Sequence, residues 1–178
     1  AADLFGRALA LDEWPGPERA AIEERRAAAL LDAGRSHEAS ASFLSAASGA
    51  PTPVLRRSRT RQAAMCLLIH GDVSGGFALF EQVLHSSGLQ IFRSPLRLIA
   101  STLVHQARLR LRRFTFVACP EGQMEPERHE QLEALAAASR HLGFLDPVLG
   151  YSFRTRALLL ALDLGHAPLV FEGVALEG

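Results

Sequence analysis

The chain has 178 residues, of which 48% are hydrophobic and 21% charged, with a formal net charge of +0. That length supports a core of ordinary domain size, and the balance argues against disorder and against a strongly basic nucleic-acid binder. No apolar run reaches the roughly 20 residues needed to span a bilayer, so no membrane partner is expected.

The elements follow in chain order. A first helix is expected over about 1–11, with Leu4, Phe5, Ala8, Leu9 and Leu11 apolar, and Trp14-Pro15-Gly16-Pro17 breaks it. Helices over about 18–33 and 36–48 form a pair that stops at Gly49-Ala50-Pro51-Thr52-Pro53. Helices over about 54–70 and 73–86 form a second pair. Gly88 to Ser94 connects onward, with Ile91 and Phe92 expected in the core. Ser94 as N-cap and Pro95 at N1 start a helix to about 113. Residues 114–125 break the helical period and read as an irregular loop lying across the helices. Glu125-Pro126-Glu127 opens a helix with acidic charge on its first turn, ending near Leu142-Gly143. Asp146-Pro147 opens an apolar helix to Leu164, Gly165 ends it, and a last helix covers about 167–176. The whole, 1–178, is read as a single all-α domain of about nine helices in antiparallel pairs, with essentially no sheet.

One pattern recurs within these elements. Gly34, Ala39, Phe43, Ala46 and Pro51 are matched 37 residues later by Gly71, Gly76, Phe80, Val83 and Gly88. A copy lacking its front half is Ala1, Phe5 and Ala8. A repeat of this length signals stacked helix pairs. Gly34 and Gly71 can take positive φ and close the preceding helix. Ser36 and Asp72 can each offer an N-cap oxygen. Ala39 and Gly76 are small where two helices approach, and Phe43 and Phe80 fill the space between layers.

The segment Leu30-Leu31-Asp32-Ala33-Gly34-Arg35-Ser36-His37-Glu38-Ala39, followed by Phe43 and Ala46, resembles a tetratricopeptide repeat. The resemblance implies a right-handed α-solenoid of antiparallel helix pairs. Glu23 and Arg26 depart from it, standing where that family places a large apolar residue and leucine, so Glu23 is expected to be solvated. The order Ala33 to Ala39, then Arg108-Leu109-Arg110-Leu111-Arg112-Arg113-Phe114, then Leu158 to Gly165, is similar to a helical-repeat region of large bacterial signalling proteins, where it follows a serine/threonine kinase domain and an ATPase module. This likeness implies a non-catalytic, protein-binding or regulatory segment of a longer cytoplasmic polypeptide. Its partner would be a protein or peptide, including flanking modules of its own chain. In the tetratricopeptide family the first helix of each pair lines a concave groove. That places Glu24, Ala28, Leu31 and Asp32 on the groove in one repeat, and Ser58, Arg61, Met65, Leu68 and Ile69 in the next. An intramolecular spacer of a signal-transducing ATPase or transcriptional regulator is the alternative. An enzyme on a helical scaffold would need a pocket where histidines and carboxylates converge.

Chemistry-bearing residues support no catalytic, cofactor or metal assignment. All 19 basic side chains are arginine. A P-loop, a protein-kinase active site and a Schiff-base enzyme each require lysine, so none of them resides in these residues. His129 and Glu133 lie one helical turn apart, but HExxH is absent and no third ligand is near, so they read as a solvated helix face. Gly71-Asp72-Val73-Ser74-Gly75-Gly76 follows a helix rather than a strand, so it is a repeat turn and not a phosphate cradle. No secretory leader is evident at Ala1. Cys66 and Cys119 form no CxxC and read as free thiols of a reducing compartment, Cys66 as a core residue. Two arginine clusters remain: Arg56, Arg57, Arg59 and Arg61, and Arg108, Arg110, Arg112 and Arg113. Either could hold phosphate or an acidic partner, but both read first as solvated faces. No interleaved aromatics suggest base stacking.

Overall fold

A computed structural model describes residues 1–11, 14–91, 94–112, 116–119 and 124–175. Among these the chain is all-helical, without strands. The helices are α1 (Ala2–Leu9), α2 (Gly16–Asp32), α3 (Ser36–Ser48), α4 (Pro53–His70), α5 (Val73–Ser86), α6 (Pro95–Arg112), α7 (Pro126–Leu142), α8 (Pro147–Leu164) and α9 (Ala167–Ala175). None of the described helices is long and apolar enough to cross a membrane. Phe92, Arg113 and Phe114, for which expectations were stated, lie outside the described residues. The chain divides into two compact units, Ala1–Ser87 and Gly88–Gly178.

In the first unit each helix packs on the next in sequence, α1 on α2 through to α4 on α5. The punctuation is local chemistry. Gly34 and Gly71 sit at φ 74° and 98°. At the end of α2 the Gly34 N–H donates to the Leu31 carbonyl and the Arg35 N–H to the Leu30 carbonyl, each at 2.9 Å. This glycine-centred cap turns the chain sharply into α3. The same bonds recur from Gly71 to Leu68 and from Asp72 to Leu67. At the start of α4 the Thr52 hydroxyl accepts the Leu55 N–H at 3.2 Å. The Asp72 carboxylate caps α5 by accepting the Gly75 N–H at 2.9 Å.

Ser36 does not act as the expected cap. It is the first residue of α3 and is buried, and the N-cap position falls to Arg35. With Arg35 at the N-cap, α3 begins one residue earlier than a serine cap at position 36 would place it.

The repeat positions hold their steric roles. Ala39 and Ala46 are fully buried, Phe43 is 4% exposed, and Phe80 is 0% exposed. Phe43 lies in a cluster with Ala2, Ala27, Leu30, Ala39, Ala63 and Cys66, drawn from α1, α2, α3 and α4. It is the one aromatic in that cluster, set among alanines, Leu30 and Cys66, so it governs their spacing. At Gly76 a Cβ would stand 2.6 Å from the Leu68 side chain and 3.1 Å from the Ala64 carbonyl oxygen. Only glycine lets α5 approach α4 this closely.

Glu23 is a correction. It is 7% exposed, not solvated, and lies on the α2 stripe of Ala20, Glu23, Ala27 and Leu30 that the fold buries. Its Oε1 accepts the Ser45 hydroxyl from α3 at 3.4 Å, and Arg26 is 3.6 Å from Oε2. The α2 stripe is fixed by helical period, so the carboxylate is carried inward with its apolar neighbours.

In the second unit α8 is central and packs against α6, α7 and α9. The Asp146 carboxylate caps it by accepting the Val148 and Leu149 N–H groups at 3.0 Å. Leu132, Leu135 and Leu142 of α7 are buried, as are Phe153, Leu158 and Leu162 of α8. Residues 116–119 form no regular structure and lie against the end of α8, where the Cys119 N–H donates to the Gly165 carbonyl at 2.9 Å. Gly165 has φ 69°, and a Cβ there would overlap the Val117 carbonyl oxygen.

Two consequences are measurable by denaturant unfolding. Phe43→Ala or Phe80→Ala should cost about 3–5 kcal/mol through lost transfer energy and a cavity; a loss near zero would deny the interlayer role. Gly34→Ala meets open space and should cost only the left-handed strain, about 1–2 kcal/mol. Gly165→Ala adds a backbone collision and should cost about 3 kcal/mol or more. Equal effects would show that the 116–119 segment is not held against α8.

Candidate functional site

The expected groove positions on α2 and α4 separate into three kinds. Ala28, Asp32 and Ile69 are exposed, Ile69 to 57%. Ser58, Arg61 and Met65 are half-buried. Glu24, Leu31 and Leu68 are engaged within the unit. Leu31 packs against the Phe43 cluster, and Leu68 packs on Gly76.

Glu24 anchors a charge that the sequence did not reveal as structural. Arg59, in the middle of the first arginine cluster, is only 6% exposed. Its Nε and Nη2 donate to Glu24 Oε2 at 2.9 and 2.7 Å, and its Nη1 donates to the Ala46 carbonyl at 2.8 Å. One guanidinium thus links α4 to both α2 and the end of α3. The expected solvated face is corrected here: Arg56 is exposed, but Arg59 is a buried tie. Its planar fork suits three fixed acceptors better than a lysine ammonium would.

At the turn before α5, the His37 and His70 rings lie 5.0 Å apart, both exposed. The Gly75 N–H, and then the Ser74 hydroxyl, hold the Asp72 carboxyl below the usual carboxylate range. Just before α3, Arg35 pairs with Glu38 at 2.7 Å and reaches Asp3 at 3.5 Å. That pairing lowers the Glu38 pKa and raises that of Arg35.

The face carrying His129 and Glu133 is partly covered rather than fully solvated. Glu130 is buried, His129 and Glu133 are half-buried, and the His129 ring lies 5.8 Å from that of His166. His166, the residue before α9, is buried; its Nδ1 accepts the Leu169 N–H at 3.3 Å and its carbonyl accepts the Val170 N–H. His129 of α7 thus meets the residue that leads into α9. Among the described residues no group of three or more His, Cys, Asp or Glu side chains could hold a metal ion.

In the second arginine cluster, Arg112 pairs with Asp163 of α8 and donates to the Leu162 carbonyl at 3.1 Å, so it too is partly structural. Arg110 is exposed. Between α7, α8 and α9 lies a cavity of about 50 Å³ whose walls include Ala136, Leu158 and Gly173. Both cysteines are free thiols, Cys66 buried and Cys119 half-buried. Comparison of the chain with protein-family models, curated proteins and solved structures finds no match.

Burial pushes the Cys66 thiol up to about 11. The unfolded thiol ionises at lower pH than the folded one, so the unfolded state loses its proton first. Stability should therefore fall between about pH 9 and 11, by about 2 kcal/mol, and Cys66→Ala should flatten that part of the profile. Identical profiles for the two proteins would show that the thiol is not enclosed.

Proposed function

We propose that the chain is a tetratricopeptide-like segment, a right-handed α-solenoid of antiparallel helix pairs that binds protein. It serves as a non-catalytic scaffold or regulatory part of a bacterial signalling protein linked to a serine/threonine kinase or ATPase. One observation carries the reading. The two repeat copies do the same physical work: Gly34 and Gly71 cap at positive φ, Ala39 and Gly76 admit a close helix, and Phe43 and Phe80 are buried wedges. Successive packing of α1 to α5 and the Arg59 tie from α4 to α2 are what such stacking requires.

The first helix of each pair offers the binding surface. Ile69 supplies an apolar contact, Arg61 a cation, and Asp32 and Ala28 an open rim beside them on their own helix. The partner is a protein, in the first instance a module of the parent polypeptide. The absence of lysine supports placing any phosphotransfer chemistry outside these residues.

The test is binding of the purified chain to each flanking module of the parent polypeptide. Arg61→Glu and Ile69→Glu should each weaken the complex about tenfold, roughly 1.4 kcal/mol, with helix content unchanged. Affinity indifferent to both would reject this surface.

A further inference from the structure

We propose that a groove formed by α6, α7 and α8 binds an acidic peptide segment. Its carboxylate or phosphoryl group would be held by Arg108, Arg112 and Arg156, and a neighbouring apolar side chain would lie on Leu159 and Leu160. This rests on the reading of the chain as protein-binding, but places a second contact in the second unit.

Helical period assembles the groove. His105, Arg108 and Arg112 fall on one stripe of α6, whereas Arg110, half a turn away, is not part of the lining. Arg156, Leu159, Leu160 and Asp163 fall on one stripe of α8. Gln131 and Leu135 of α7 complete the wall. The space measures about 410 Å³, several times what an isolated phosphate or carboxylate fills, and its lining is divided between guanidinium groups and leucines. That composition fits a ligand carrying both negative charge and apolar surface.

The charge is not balanced from within. Among the described lining residues three guanidinium groups meet one carboxylate, Asp163, and that one is paired with Arg112. Among the described residues neither Arg108 nor Arg156 has a carboxylate partner. Arg156 is half-buried. Its Nη1 donates to the Gln90 carbonyl at 2.8 Å and its guanidinium lies 5.9 Å from the Phe153 ring centre. Burial pulls its pKa below the ordinary arginine value. A cation withdrawn from water beside a neutral carbonyl gains strongly from a carboxylate or phosphoryl oxygen, which arginine receives through paired N–H donors. The Gln90 and Asp163 bonds fix two of the three guanidinium groups in advance, reducing the ordering cost of binding.

The experiment is titration of the chain with fluorescent peptides of glutamate and leucine, the same peptide with phosphoserine replacing glutamate, a glutamine–leucine control, and inorganic phosphate alone. At least one anionic peptide should bind, the control should not, and salt should weaken binding. Arg108→Gln and Arg156→Gln should each raise the dissociation constant about tenfold with helix content retained. Arg108 is exposed, so its variant tests binding even if the Arg156 variant unfolds. Absence of saturable binding, indifference to Arg108→Gln, or phosphate binding as tightly as the peptides would overturn the proposal. Preference between the two anionic peptides decides which group the arginines take. A partner sensitive to Arg61→Glu with no acidic-peptide binding would leave the first surface standing and this one refuted. The converse result would refute the first surface alone.

Discussion

The close approach of helices at Ala39 and Gly76 governs the first unit. At those positions no larger side chain fits without displacing Leu68 or the backbone of α4 in the one case, or the fully enclosed Ala39 site in the other. Helices brought that near leave a narrow gap one turn on, and a single ring fills it. Phe43 is thus not an interchangeable apolar residue; it is the one aromatic in a cluster whose other buried members are alanines, Leu30 and Cys66. Dispersion contacts are short-ranged, so a tight layer gains from every atom placed in it and loses steeply when one is removed. The glycine caps belong to the same constraint. A helix must stop and reverse within two residues to present the next small face at the right height, and only a left-handed residue does so.

An interior built from alanine has little apolar area per residue, and charged groups help hold it. Arg59 spans what alanines cannot reach, tying three helices with three hydrogen bonds. Burying a guanidinium is favourable only when its donors are met. Here Glu24 remains half-exposed, which lowers the desolvation cost on the carboxylate side while the Ala46 carbonyl satisfies the buried nitrogen. Glu23 works on the same terms with a weaker partner, the Ser45 hydroxyl. Two polar residues on α2 therefore serve packing, and a groove drawn from family likeness alone overstates how many side chains there face outward.

Helix limits and wedge residues were legible because their causes are local. Proline at N1, glycine after an apolar run and an apolar residue every three or four positions act over a single turn, so α2 to α9 begin and end close to where these signals stand. Pairings across the chain were not legible. Glu23 meets Ser45 and Glu24 meets Arg59 over separations of 22 and 35 residues, which no periodicity encodes. The meeting of His129 with His166 was not legible for the same reason: nothing near His129 in sequence announces it. Of the expected groove, Ala28, Asp32 and Ile69 are open, while Leu31 and Leu68 turn inward because a helix in a packed layer gives up more of its circumference than its own pattern reveals.

The second unit shows how far order in sequence and order in space can part. Because α8 receives α6 as well as α7, arginines nearly fifty residues apart line one groove, and the alternation of Arg108, Arg110 and Arg112 splits between groove and solvent. Read as a run, those arginines are a charged stretch at a helix end with no reason to converge on anything. Read on three helices, two of them stand within a leucine-lined space that holds, among the described residues, a single carboxylate. Electrostatic cost rises with desolvation and falls with each matched acceptor. A protein that keeps Arg156 half-buried against a neutral carbonyl and an aromatic ring sustains part of that cost in its free state. An acidic ligand would relieve it, and the strength of such binding would come less from attraction through water than from ending that mismatch.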